Sequence, residues 1–422
     1  MGMIADLHVH SRFSRGTSNS LNIDNLEKYA LIKGVDLLGT GDFTHPEWIK
    51  ELKQKLEEDG TGILRTKNGY PFMLQTEISL IYSQGGAGRK VHMVVLAKDF
   101  GIVDQITSAL KKRGRVDYDG RPIFGIPCPE FVEMMKGIDR SIELIPAHVW
   151  TPWFSLFGSR SGFNSVKECF QDQTKHIHAL ETGLSSDPEM NWRLSQLDPY
   201  ALVSFSDLHS YWPWRIGREA TVFDTKPSYD SIMKAIRTKK GLKETIEVDP
   251  GYGKYHYTGH RNCNVCLDPK KSLDSEGICP KCGGKLTVGV LERVEELADR
   301  PPGYRPKDAK PFRKLIPLSE IIAHILGKSI ATQAVWKEYN NLINNLGSEL
   351  SVLLEAGKDE LMRFTGQRIA DAVMKNREGK IRIKPGYDGE YGAPLFNEGR
   401  HKPFSGPVKG FKGQKQTSLG EF

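Results

Sequence analysis

The sequence predicts an α/β barrel that passes into a small cysteine-bearing module and then into a helical domain. Three observations carry this. Residues 1–250 alternate short apolar runs with amphipathic stretches, the rhythm of a parallel sheet wrapped by helices. In residues 251–316 that rhythm stops, Gly, Tyr, Lys and Pro dominate, and four of the six cysteines cluster. Over residues 317–392 the apolar spacing turns helical, and residues 393–422 form a basic tail with little to bury, expected to be disordered from about Arg400. A chain of 422 residues has room for this division.

Taken in order, Met3-Ile-Ala-Asp-Leu reads as a strand leading to His8 and His10. Residues 21–34 predict a helix, with Asn22 or Asp24 as cap and Gly34 as stop. Val35-Asp-Leu-Leu-Gly-Thr-Gly precedes Asp42, and residues 48–59 carry Glu and Lys at helical spacing. Phe72-Met-Leu-Gln-Thr ends at Glu77, and His92 opens Met-Val-Val-Leu. Leu144-Ile-Pro-Ala ends at His148, and Ala201-Leu-Val-Ser-Phe-Ser ends at Asp207 with His209. A basic helix over 229–241 closes the series, leaving seven or eight strands open. Helices are then predicted over 318–326, 334–346, 348–354 and 358–374, with Gly327, Gly347 and Gly357 at their ends.

Apolar runs of this length read as buried strands, and barrels place chemistry at strand carboxyl ends. A lone buried histidine is most often a hydrogen-bonded core residue. Five histidines and three acids in the same position beside such runs read instead as a multi-metal site. In His8-Val-His10 and Asp207-Leu-His209, residues i and i+2 of a strand share one face. Cys263-x2-Cys266-x12-Cys279-x2-Cys282 forms two tight knuckles, enough thiolates for one tetrahedral zinc. Four protein ligands leave no open position, so that zinc is expected to be structural. Two disulfides are the alternative, which cysteine usage fitting a reducing compartment disfavours. Lys270, Lys271, Lys281 and Lys285 suit either a phosphate contact or a module that only joins its neighbours.

Asp6-Leu-His-Val-His-Ser, Gly39-Thr-Gly-Asp-Phe, Thr76-Glu77, Val91-His92, Ala147-His148 and Ser206-Asp-Leu-His resemble, in order, the motifs of the polymerase-and-histidinol-phosphatase (PHP) superfamily of metallophosphoesterases. This resemblance implies a distorted seven-stranded β/α barrel holding two or three divalent ions (Zn, Mn or Mg). It implies that His8, His10, Glu77 and Asp207 hold one ion and that Glu77 bridges to a second, held also by His92 and His148. His209 would belong to a third. The second motif departs from the family pattern: Asp42 is followed by Phe43, and His45, two places on, is the expected substitute. The whole chain resembles the endonuclease Q family, which joins such a barrel to a four-cysteine zinc module and a helical C-terminal region. That resemblance implies a metal-dependent cut on the 5′ side of hypoxanthine, uracil and abasic sites in DNA, with His8, His10, Glu77, Asp207 and His209 at the reacting centre.

Two aromatic loops follow the site histidines: Trp150, Trp153 and Arg160 after His148, and Tyr211, Trp214 and Arg215 after His209. Such groups stack on a displaced base or wedge into the gap it leaves, or else pack onto the barrel rim. Gln416, Leu419 and Phe422 resemble a sliding-clamp-binding box, in which one helical turn presents a single apolar face. The net charge is +7, and from Leu361 onward 12 Lys/Arg stand against 6 Asp/Glu, which suits a polyanionic partner such as damaged DNA. No run approaches the roughly 18 apolar residues of a membrane span. Met1-Gly-Met-Ile enters the first strand without a leader pattern, so a cytoplasmic protein with no membrane partner is expected. The competing readings are a PHP-type small-molecule phosphatase and a catalytically inactive, clamp-associated DNA-binding adaptor.

Overall fold

The computed structural model describes residues 2–396. Seven staves surround the barrel: β1 (Met3–Asp6), β2 (Leu37–Gly39), β3 (Pro71–Gln84), β4 (Ala87–Ala97), β5 (Glu143–Pro146), β6 (Ala179–Glu181) and β7 (Ala201–Val203). β1, β2 and β3 are parallel, and so are β6 and β7. The distortion lies in β4, which runs antiparallel to both β3 and β5. A parallel bridge from Val9 to Leu208 joins the first stave to the last. The fold is therefore the distorted seven-stranded barrel expected. Outside it, β8 (Ala220–Phe223) pairs antiparallel with β1, and β9 (Leu242–Glu247) with β8.

Small and medium apolar side chains fill the barrel: Ala5, Leu7, Leu37, Met73, Val94, Ile145, Ala147, Ala179 and Val203. Helix α5 (Tyr229–Thr238) packs its Ile232, Met233 and Ile236 into this cluster and plugs the end opposite the histidines. Its forerunners in sequence are α1 (Ile23–Lys33), α2 (Pro46–Lys55), α3 (Phe100–Lys111) and α4 (Cys128–Ile138). Helix α1 forms where the sequence places it. Asn22 accepts from the Asn25 N–H, Gly34 closes the helix at φ 92, and Leu26 and Ala30 are fully buried. Each large aliphatic group so buried contributes about 1.5–3 kcal/mol.

The segment after the barrel contains the short hairpin β10 (Thr258–His260) and β11 (Val265–Leu267), then returns to the barrel sheet. Strand β12 (Phe312–Lys314) pairs in parallel with β9. Five helices follow: α6 (Leu318–Leu326), α7 (Gln333–Leu346), α8 (Glu349–Leu354), α9 (Lys358–Phe364) and α10 (Gln367–Arg377). The single helix expected over 358–374 is two. Thr365 is extended at φ −148, ψ 169, and Gly366 caps the next helix. No helix among the described residues is long and apolar enough to cross a membrane.

Candidate metal centre

Strand geometry gathers the donors. His8 and His10 leave the end of β1 on one face, while Val9 between them points into the core. On the β3–β4 hairpin Ser79 pairs with His92, so Glu77, two residues earlier, shares the face of His92 as its diagonal neighbour. His148 and Asp207 sit just past β5 and β7 with φ of 32° and 46°, strained backbone of the kind that collects at functional sites. Gly183 makes room for one of these turns: a side chain there would meet the His148 Cβ at 2.5 Å.

Two donor groups result, and they share Glu77. In the first, His10 Nε2 lies 3.1 Å from Asp207 Oδ1 and 3.3 Å from Glu77 Oε2. His8 Nε2 lies 3.6 Å from Glu77 Oε1. In the second, Glu77 Oε1 is 2.8 Å from His92 Nδ1 and 3.1 Å from His148 Nε2. Within each group the ligand atoms lie within 4.8 Å of one another. His8 Nε2 is buried with no hydrogen-bond partner and points into this cluster. An orphaned imidazole nitrogen facing two carboxylates is what a metal ligand leaves when described by protein atoms alone. The donor set fits divalent ions.

Around the ligands stands a shell that fixes them. Glu181 Oε1 lies 2.9 Å from His8 Nδ1, and its Oε2 accepts the His148 backbone N–H at 2.7 Å. One carboxylate thus orients a ligand from each group. Asp42 Oδ1 lies 3.0 Å from His10 Nδ1, while its Oδ2 accepts from the Ser11 N–H, the Ser11 hydroxyl and the Ser14 hydroxyl. Arg121 donates from one terminal nitrogen to Glu77 Oε2 at 3.0 Å. The field favours cations at its centre. Burial opposes charge on His8 and His10, yet Glu181 and Glu77 for the first, and Asp42 for the second, raise both well above the imidazole range. Burial likewise opposes charge on Glu77, but His92 and Arg121 hold it well below the carboxylate range. Burial pushes His92 down to about 4, against the pull of Glu77.

Several expected ligands stand elsewhere. Asp42 spends its oxygens on Ser11, Ser14 and His10, so it is an orienting partner of His10 and lies outside both groups. His45 stacks on Phe13 at 4.2 Å, and its buried Nδ1 has no partner. It stands before Pro46 at the start of α2, makes no side-chain cap hydrogen bond there, and lies outside both donor groups. His209 also lies outside the groups. Its Nδ1 is bonded to the Asp207 carbonyl at 2.9 Å, and its ring sits 4.7 Å from that of His10.

The aromatic loops divide. Trp150 is 1% exposed and donates its indole N–H to Asn191 Oδ1 at 2.8 Å, which makes it a core residue of the rim. Trp153 is 39% exposed and meets Tyr255 edge-on at 5.5 Å. Beside it Phe154 covers His92 at 4.8 Å, and Arg160 is exposed. Tyr211 stacks on Tyr29 at 4.7 Å, and Trp214 packs on Trp212 and on Trp336 of α7. This second loop therefore meets the helical domain. Arg215 is half-buried. Sequence reasoning missed Glu181, Arg121 and Tyr255. Glu181 does end an apolar run, Ala-Leu, but one too short to notice.

In the cysteine module, Cys263, Cys279 and Cys282 converge with His260, their ligand atoms all within 4.8 Å. Here the structure differs from the four-cysteine expectation. In the β10–β11 ladder His260 pairs with Val265, whose side chain packs with Cys279 and Leu286. Cys266, one residue on, faces the other way and is exposed. Gln416, Leu419 and Phe422 lie outside the described residues.

Residues 317–380 match the family model described as the MJ0043 C-terminal domain. The uncharacterized protein MJ0043 of Methanocaldococcus jannaschii is 37% identical over 256 residues, 58% of this chain but 31% of that protein. The uncharacterized protein YqxK of Bacillus subtilis is 29% identical over 409 residues, covering 92% of this chain and 98% of its own. Among solved structures, the lesion-specific endonuclease PfuEndoQ of Pyrococcus furiosus superposes with a TM-score of 0.85 at 32% identity, over 94% of this chain and 96% of its own. An endonuclease Q in complex with a 27-mer duplex substrate carrying an abasic lesion at its active site superposes with a TM-score of 0.84, also at 32% identity, over 94% and 97%.

Proposed function

From membership of the endonuclease Q family, to which this chain belongs, we infer that the protein is a metal-dependent DNA repair endonuclease. We read its substrates as duplexes carrying deaminated bases (hypoxanthine, uracil) or abasic sites, cut on the 5′ side of the lesion. The observation that carries this is the pair of donor groups joined through Glu77, in a chain similar over nearly its full length to lesion-specific endonuclease Q. Divalent ions in such a pair supply a nucleophile from water at neutral pH and neutralise charge on the phosphoryl oxygens. The protein's own part is to hold donors in place: Glu181 and Asp42 fix the rings, and the surrounding core keeps the cluster rigid. No Ser or Cys nucleophile is required.

Trp153 with Tyr255 is the aromatic surface best placed to stack on a displaced base or to fill its gap, because it is exposed beside the second donor group. The basic tail with Gln416, Leu419 and Phe422 would tether the enzyme to a sliding clamp. The test is an end-labelled duplex with one abasic, hypoxanthine or uracil residue, incubated with manganese, with chelator, and with a His8→Ala protein. The expected result is a metal-dependent nick 5′ to the lesion that the variant loses. Release of phosphate from a small phosphomonoester with no nick on any duplex would overturn the reading in favour of a phosphatase.

A further inference from the structure

Arg121 brings a third kind of group to the metal centre, and the chain invests several contacts in holding it there. It ends the loop that follows α3. Asp119 Oδ1 accepts the Arg121 N–H at 3.1 Å and the Arg15 N–H at 3.3 Å, tying this loop to the one after β1. Gly120 donates to the Phe13 carbonyl at 2.9 Å, and a side chain at 120 would stand 2.2 Å from Asp42 Oδ2. The backbone therefore packs directly against Asp42, the orienting partner of His10, and the next residue reaches Glu77.

The guanidinium so placed is only partly spent. One terminal nitrogen bonds to Glu77 Oε2, while its Nε and other terminal nitrogen make no hydrogen bond among the described residues. The side chain is 23% exposed, which leaves it within reach of a ligand entering the site. A fixed cation beside groups that bind divalent cations is unfavourable unless an anion joins them. A phosphodiester is such an anion, and a planar guanidinium is suited to its non-bridging oxygens.

Resting on the phosphodiesterase reading above, we propose that Arg121 is a catalytic residue that holds a non-bridging oxygen of the scissile phosphate across from the Glu77-linked donor groups. In the step it serves, a water oxygen bonds to phosphorus while the bond from phosphorus to one sugar oxygen breaks. The attacking water loses one proton to solvent and the leaving alkoxide gains one, yielding a phosphate monoester and an alcohol. Arg121 transfers no proton. It binds the negative charge that gathers on the equatorial oxygens, a gain realised mainly in the transition state.

The experiment compares wild type, Arg121→Lys and Arg121→Gln, each loaded with manganese, on an abasic duplex and on bis(p-nitrophenyl) phosphate. Metal per chain is measured by mass spectrometry, and duplex affinity by anisotropy in chelator. For Arg121→Gln the expected loss in kcat is about 100-fold on both substrates. Metal content and duplex affinity should be unchanged, and Lys should restore part of the loss. A kcat within about threefold of wild type, or a loss matched by loss of metal, overturns the proposal. So does a deficit confined to the duplex, which would mean a role in DNA register. A wild type that cuts the small diester but no duplex removes the endonuclease reading, while the diester still decides the role of Arg121. A wild type inert on both overturns the two together.

Discussion

At the scale of single residues, buried carboxyls do two different jobs in this barrel. Glu181 sits among imidazoles and orients His8 and His148. Behind it, Glu219 and Glu247 are buried together, and burial drives both upward, Glu247 to about 8. Glu247 accepts from the hydroxyls of Thr245, Thr182 and Ser204, which lower its pKa but do not offset burial. The sign follows from proton counts. Between the ordinary carboxylate pKa and about 8 the folded chain keeps a proton that the unfolded chain has released, so this group's contribution to stability is present at low pH and is lost as pH rises through that window. Glu247→Gln, which mimics the protonated form, should gain about 4 kcal/mol more at pH 8.5 than at pH 5. Thermal melts of both proteins across that range check it; parallel curves would refute the assignment. The candidate donors themselves were legible because each stands beside an apolar run. Glu181 and Arg121 were not, because a partner 173 residues away in one case, and a loop with no apolar pattern in the other, gives them their role.

Among elements, the β10–β11 hairpin shows what spacing can and cannot say. Two Cys-x2-Cys knuckles pointed to a cluster that could hold a metal ion, and three of the thiols meet with His260. The fourth position depends on strand register, which a single sequence does not reveal. His260 pairs with Val265 and lies on the inner face, while Cys266 faces outward. We therefore expect His260→Ala to release the structural zinc and Cys266→Ser to retain it, with Cys279→Ser losing it as the control. Zinc per chain, measured with a chromogenic chelator after gel filtration, decides. Zinc lost from Cys266→Ser and kept in His260→Ala would restore the four-cysteine set. A four-ligand site is closed, so removing one ligand should lower affinity by at least about tenfold. The split of the last predicted helix into α9 and α10 has a similar cause: apolar spacing runs on through Thr365 and Gly366, but a β-branched residue followed by glycine favours leaving the helix there.

For the whole molecule, the question is whether the helical domain is a passenger or part of the enzyme. Its inner face carries Glu349, which lies 2.7 Å from Lys33 Nζ of α1, the pair being almost wholly buried. Tyr339 and the Leu318 N–H complete the carboxylate, and Lys33 also donates to the Pro213 carbonyl at 2.8 Å. Pro213 lies between Trp212 and Trp214, which stack at 5.2 Å and pack on Trp336 of α7. This is the loop that leaves Asp207 and His209, so the domain packs against one wall of the candidate metal centre. No pattern in the sequence announces a contact between positions 33 and 349; only the folded chain brings them together. A buried pair with both partners satisfied adds little net stability, but leaving one charge alone costs about 3–5 kcal/mol. Glu349→Gln strands Lys33 and should cost that amount, whereas the double variant Lys33→Met/Glu349→Leu should recover most of it, since two apolar groups leave no charge behind. If the domain is a brace, calorimetry of the wild type shows one transition, and Glu349→Gln splits it, with the helical part melting first while the metal-loaded barrel persists. A single-variant cost below about 1 kcal/mol, or two separate transitions already in the wild type, would make the domain a passenger and leave the Asp207 loop to hold its shape alone.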